Sequence, residues 1–360
     1  MDSRLLYGDG EYNGRLVKRR GETIVHLTED TNQEQAFAQT LSLRTAEADK
    51  LYEQGVEQQR IGQFEAAVQS YEAALQIHRE LQNHRKVGRV LCCLALTAYS
   101  LGDFLQAIEY ATKSLNASQE VHDRQLEGQV LGILANSYRH LGDHVKAIEQ
   151  GQQSLTILQQ FQDRVGEVAA LNNLGLAYKA MGDLPGAIAY QQQSLKVAQT
   201  VCDLQSQAQI LKNLGNAFYA MGDLPRALEH YEQRLAIART LGDHSLEIQI
   251  LRNLSKACHA MGDVPRAIEY GQVRLMSARQ LGDRRLEEQA LGSLGVAYDA
   301  LGDYAKAIEY YEQRLNVARS IPDPKVEKQA LSSLTAACYA LGDYAKLVQY
   351  HEQGSAIGDR

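Results

Sequence analysis

Gly62, Gly102, Gly142, Gly182, Gly222, Gly262, Gly302 and Gly342 recur at one constant step of forty without a slip. One leucine series from Leu51 to Leu331 keeps the same step, and a second runs from Leu75 to Leu315. A strict period of this length marks a stacked array, in which one supersecondary unit is copied and neighbours complete each other's cores. Eight such units fill residues 41–360 of the 360-residue chain, and residues 1–40 lie outside the register. Length alone would suggest two or three globular domains. The period replaces that with one elongated array behind an N-terminal segment.

Each unit reads as two helices. In the fourth, Leu171, Leu174, Ala177 and Tyr178 fall on one helical face. Gly182 then ends the first helix in the left-handed conformation. Asp183 caps the second helix by accepting from its free amides. Pro185, Pro225 and Pro265 sit just inside the second helix, where a missing N–H costs nothing. Alanine recurs at one site of that helix from Ala67 to Ala307, and Gly55, Gly175, Gly215 and Gly295 recur in the first. These small residues let helices approach closely, with Tyr138, Tyr178, Phe218 and Tyr298 expected to fill the gap beside the glycines. The 19 tyrosines in a chain without tryptophan reflect this copying.

The pattern resembles the tetratricopeptide repeat (TPR). Residues 171–195 and 291–315 carry the L-x-x-L-G-x-A-Y, G-D and A-I-x-Y-x-x-x-x-L positions of that family. Its usual unit is shorter, at about 34 residues. The longer unit found here is similar to the extended form in partner-of-inscuteable polarity scaffolds, kinesin light chains and bacterial regulators. The resemblance covers 41–360 and implies an all-α, right-handed superhelical solenoid whose first helices line a concave groove. It implies less about the ligand. Unit one departs at Gln54 and Gln58, and unit eight at Leu347, Gly354 and Ser355, as terminal units do.

The groove is where partner-binding residues are expected. Asn173, Asn213 and Asn253 occupy one register of three consecutive first helices. Neighbouring helices pack roughly 8–10 Å apart, and an extended peptide advances about 3.4 Å per residue. Each amide can therefore meet about every third peptide residue with both a donor and an acceptor. Asparagine is also a poor helix former, so three in register ask for a reason. The family resemblance gives these asparagines that same backbone-holding role. Asn172, Lys212 and Arg252 precede the ladder by one residue; Asn136, Asn216 and Lys256 follow three after its register; Arg139, Lys179, Tyr219 and His259 come three later again. Acidic residues on this face are few: Asp49, Glu53 and Asp299. A chain of formal charge −7 is thus expected to hold a locally basic groove, suited to an acidic or carboxylate-bearing peptide. The arginine series Arg234, Arg274 and Arg314 in the second helices is expected to be structural, paired with nearby glutamates. The glutamines Gln129, Gln209, Gln249, Gln289 and Gln329 read either as groove residues or as an exposed polar ladder between units.

Other function classes find no support in the residues. No phosphate-loop motif or Ser-His-Asp or Cys-His pairing emerges. His140 and His144 straddle the Gly142 turn, and the five cysteines have no metal-ligand or disulfide spacing. No cofactor or metal is expected, and Cys258 and Cys338 are expected in the core. The balanced charge argues against nucleic acid, and no apolar stretch is long enough to argue for membrane insertion. A reducing, cytoplasmic setting fits the free cysteines. Residues 1–40 read as a flexible tail, a short hairpin around Gly21 or a lid folding into the groove, turning helical from about residue 32. The expected function is a non-enzymatic adaptor. The alternatives are a peptide-sensing regulator that changes pitch, a regulatory partner of a separately encoded enzyme, and an element that self-associates through its terminal repeats.

Overall fold

The computed structural model describes the backbone of residues 22–358 and the side chains of 38–357. Unit one holds α1 (Glu22–Arg60) and α2 (Phe64–Glu80), unit two α3 (His84–Ser100) and α4 (Phe104–Glu120). Unit three holds α5 (Arg124–His140) and α6 (His144–Gln160), unit four α7 (Arg164–Ala180) and α8 (Leu184–Thr200). Then come α9 (Leu204–Ala220) and α10 (Leu224–Leu241), α11 (His244–Ala260) and α12 (Val264–Leu281). Units seven and eight are α13 (Arg284–Ala300) with α14 (Tyr304–Ala318), and α15 (Pro324–Leu341) with α16 (Tyr344–Gly358). No strand occurs among the described residues. The first helix begins at Glu22, well before the sequence places it, so the second arm of the expected hairpin is helical. Gly21 and the first arm lie outside the described residues.

The turns follow from local chemistry. The eight register glycines take φ of 74–85°, a conformation that costs other residues a Cβ clash. In units two to eight the next residue is aspartate, whose carboxylate accepts the amide three residues on, as Asp183 does from Gly186 at 2.9 Å. Turns between units are less uniform. Gln82, His122, Gln162 and Cys202 hold φ of 52–56° without being glycine, whereas Gly242 and Gly282 take the same place later.

The alanine column from Ala67 to Ala307 is 0–2% exposed. It brings each second helix against its own first helix and lets apolar side chains interleave between units. One continuous cluster runs from Ile188 through Leu214, Phe218 and Leu251 to Cys258. Cys258 and Cys338 are both fully buried. The glycines are filled differently from expectation. A Cβ on Gly55, Gly215 or Gly295 would strike the ring of Tyr71, Tyr231 or Tyr311, and one on Gly175 would strike Gln191. The wedge therefore comes from the second helix of the same unit. Tyr178 and Tyr298 instead stack on Tyr190 and Tyr310, and Phe218 on His230.

Successive first helices pack together from α1 through α3, α5 and α7 to α9. Successive second helices are joined by long side chains instead, such as Glu232 on α10 receiving Arg266 and Tyr270 from α12. First helices therefore line the inside of the bend. Beyond α9 no comparable packing joins α11, α13 and α15. One register column changes near the same place. Units two to four bury Ser114, Ser154 and Ser194, each bonding a carbonyl of its own first helix (Gly88, Gly128, Val168) at 2.7–2.9 Å. Units five to seven bury Arg234 and Arg274, and place Arg314, at that position. A guanidinium needs more room than a hydroxyl, and the first helices stand further apart where it is present.

Candidate partner-binding groove

The sequence-derived groove residues fall on first helices α5, α7, α9 and α11, but the structure uses them unequally. Asn213 is buried, and its Nδ2 donates to Asn172 Oδ1 of the preceding unit at 2.9 Å. Its own Oδ1 lies 3.5 Å from Gln209 Nε2. That amide stitches two repeats together and is not open to a ligand as the ladder supposed. Asn216 accepts from Tyr231 at 2.7 Å, and Asn136 receives the Arg139 guanidinium at 3.3–3.4 Å. Arg139 also approaches His140 Nε2 at 2.7 Å, so it lies along its own helix. Asn173 and Asn253 are half-buried, and their side chains make no hydrogen bond among the described residues. These two amides are unbonded within the fold.

The cations behave alike. Lys179, Arg252 and Lys256 are exposed and Lys212 is half-buried, yet none forms an ion pair among the described residues. Cations elsewhere are mostly committed: Lys146 to Asp143, Arg226 to Asp223, Arg266 to Glu232, Lys346 to Glu312. Of the acidic residues expected near the groove, Asp49 is held by Lys86 at 2.9 Å. The middle first helices thus carry uncompensated positive charge.

Arg252, Lys256, His259 and Tyr219 line one cavity of about 670 Å³ between α11 and α13. Its floor holds Arg274 and Arg314, which the sequence assigns to structural glutamate pairs. Only Arg314 has one, Glu288 at 2.6 Å. Arg274, 2% exposed, donates one bond to Gln289 and has its Nε buried without a partner. Burial, then the like charge of Arg252, pushes its pKa down to about 10. Arg234 is also buried with an unpartnered Nε, and burial likewise lowers its pKa. The register position that supplies Glu288 to Arg314 holds Ile248 for Arg274 and Ala208 for Arg234. The signal was in the register: serine gives way to arginine in one column while the facing column supplies a single carboxylate.

Sequence models described as tetratricopeptide repeat match residues 86–160, 166–240 and 206–280, and a second such model matches 290–325 and 330–359. The chain belongs to the tetratricopeptide repeat family. TPR arrays are protein-interaction scaffolds, the function class in which this one falls. No curated protein matches the sequence. Among solved structures, the TPR array is similar to a signal-transduction ATPase with numerous domains (STAND) carrying a tetratricopeptide repeat sensor, from Pyrococcus horikoshii. Identity there is 16% and the TM-score 0.64, over 81% of this chain and 44% of that one. This TPR chain therefore spans less than half the length of that relative. BtubC (BKLC) from P. vanneervenii aligns at 23% identity and TM-score 0.54, covering 61% of this chain and 92% of that one. Aspartyl phosphate phosphatase F from Bacillus subtilis aligns at 13% and 0.51, covering 81% and 76%. At these identities the likeness is one of fold. No helix among the described residues is long and apolar enough to cross a membrane, and no group of three His, Cys, Asp or Glu there could hold a metal ion.

Proposed function

We propose that this TPR array is a non-enzymatic, cytoplasmic adaptor that binds an extended acidic segment of a protein partner along first helices α5 to α11. The observation that carries the reading is the set Lys179, Lys212, Arg252 and Lys256: four cations on three consecutive units, none ion-paired. Uncompensated charge of one sign in a concave, low-dielectric wall steers an oppositely charged chain and then holds it by charge-assisted bonds. Asn173 and Asn253 hold the backbone, and Asn213 fixes Asn172 beside them. Asn136, Arg139, Asn216, Tyr219 and His259 form the rest of the contact surface.

Fluorescence anisotropy with a labelled twelve-residue Glu-Gly-Ser peptide tests this. The peptide should bind with a salt-dependent affinity that falls at least about tenfold in Lys212→Glu with Arg252→Glu. Asn173→Ala with Asn253→Ala should cost about 1 kcal/mol per lost bond. Affinity unmoved by the charge reversal would sink the reading.

A second reading, a ligand-responsive regulator, draws on the loss of first-helix packing after α9. A ligand bridging α11 and α13 would find room to close there. Small-angle scattering discriminates: a regulator compacts on binding the acidic peptide, and a rigid adaptor keeps its radius of gyration.

A further inference from the structure

The cavity between α11 and α13 lies where three register columns coincide at the junction of units six and seven. Where units one, five and seven set a tyrosine against a glycine, unit six has Gly271 and Ser255, so no ring enters the cavity there and Leu294 of the next unit packs against Gly271 instead. Where the three preceding units have Asn172, Lys212 and Arg252, unit seven has Gly292, so the wall facing the cavity lacks a side chain. Where unit seven neutralises Arg314 with Glu288, the matching residue for Arg274 is the buried Ile248. The result is a cavity of about 670 Å³ with no carboxylate in its lining.

We propose that this cavity is a binding site for a phosphate monoester, presented as a phosphorylated serine or threonine side chain of the partner segment. This deepens the groove reading and rests on it. The ligand set is Arg274 at the floor, Arg252 and Lys256 at the mouth, and Gln289, which accepts from Arg274 Nη2 at 3.1 Å and keeps its NH₂ group as a further donor. The buried Arg274 guanidinium has an unbonded Nε and no carboxylate in contact, Glu288 acting on it only at a distance while paired to Arg314, and a buried charge so weakly compensated is costly unless an anion meets it. Its planar fork matches two oxygens of a tetrahedral anion. Charge decides between anions. With Arg314 already paired, Arg252, Lys256 and Arg274 remain, and a phosphate monoester brings about −1.5 to −2 against a carboxylate's single charge.

Isothermal titration calorimetry on the full chain tests the site with inorganic phosphate, a five-residue alanine peptide with central phosphoserine, and the same peptide with central glutamate. Phosphate should bind, the phosphoserine peptide more tightly, and the glutamate peptide at least about tenfold more weakly than the phosphoserine one. Arg252→Gln, at an exposed position, and Arg274→Gln should each weaken phosphoserine-peptide binding about tenfold or more. Lys196→Gln, at an exposed position on α8 outside the cavity, should leave inorganic phosphate binding unchanged. Without anions, Arg274→Met should melt no lower than the parent, because it removes an unpaired buried charge; a clear drop in Tm would mean that Arg274 is satisfied in the fold and overturns the proposal. Equal binding of the glutamate and phosphoserine peptides overturns the monoester, and a phosphoserine peptide no tighter than free phosphate overturns the side-chain source. Loss of phosphate binding with the acidic Glu-Gly-Ser peptide still held would refute this site and leave the groove reading standing.

Discussion

Gly215 shows how much one missing side chain decides in this array. A Cβ there would stand 2.5 Å from Tyr231 Cε1, and the Tyr231 hydroxyl would lose its reach to Asn216. Gly215→Ala should therefore destabilise by about 1–3 kcal/mol, despite the roughly 1 kcal/mol that alanine gains over glycine in a helix interior. Gly132→Ala is the matched control, since its Cβ would meet only Ser154 Oγ at 3.4 Å; it should be neutral or stabilising. Urea denaturation of both variants checks this, and a stabilised Gly215→Ala would mean that the tyrosine is no wedge. The glycines that turn and the aspartates that cap were legible in the sequence, because each acts on close chain neighbours. The tyrosine wedge was not, because Tyr231 lies on a different helix from Gly215, and only the packed pair shows which aromatic column meets which glycine. The arginine column departs from the sequence expectation for the same reason: pairing with glutamate depends on a residue of the facing first helix, and it is present only for Arg314.

At the scale of elements, the joints between units carry the variation. Gln82, His122, Gln162 and Cys202 hold the left-handed conformation with a Cβ in place, whereas Gly242 and Gly282 hold it without strain. Gln162→Gly should raise stability by roughly 0.5–1 kcal/mol, the relief of left-handed strain outweighing the extra freedom of the unfolded chain. A lower urea midpoint in Gln162→Gly would show that the glutamine side chain contributes contacts that offset its backbone. Helix number, length and order were readable from the constant step because helix ends obey local rules. Where the first helix begins was not, since the residues ahead of the array share no register with it, and Glu22 starts a helix of 39 residues. The groove was legible only in part. Its face follows from periodicity, but the bond from Asn213 to Asn172 needs the distance between neighbouring helices.

The molecule as a whole divides at α9. Ahead of it, first helices touch and in units two to four a buried serine ties each pair together; after it, arginines occupy the same column in units five to seven and first helices stand apart. Stability in such arrays sums local units and nearest-neighbour interfaces. Amides of α13 and α15 should therefore exchange with solvent sooner than those of α5 and α7, readable by hydrogen-exchange mass spectrometry; the opposite order would mean that the second-helix ion pairs dominate the interfaces. The column that turns from serine to arginine also has a mechanical meaning. A coil of identical units stretches evenly under load. This one joins a stiff spring to a soft spring in series, so tension applied along the axis lengthens the arginine-bearing half first and widens the gap between α11 and α13 before it reaches α5.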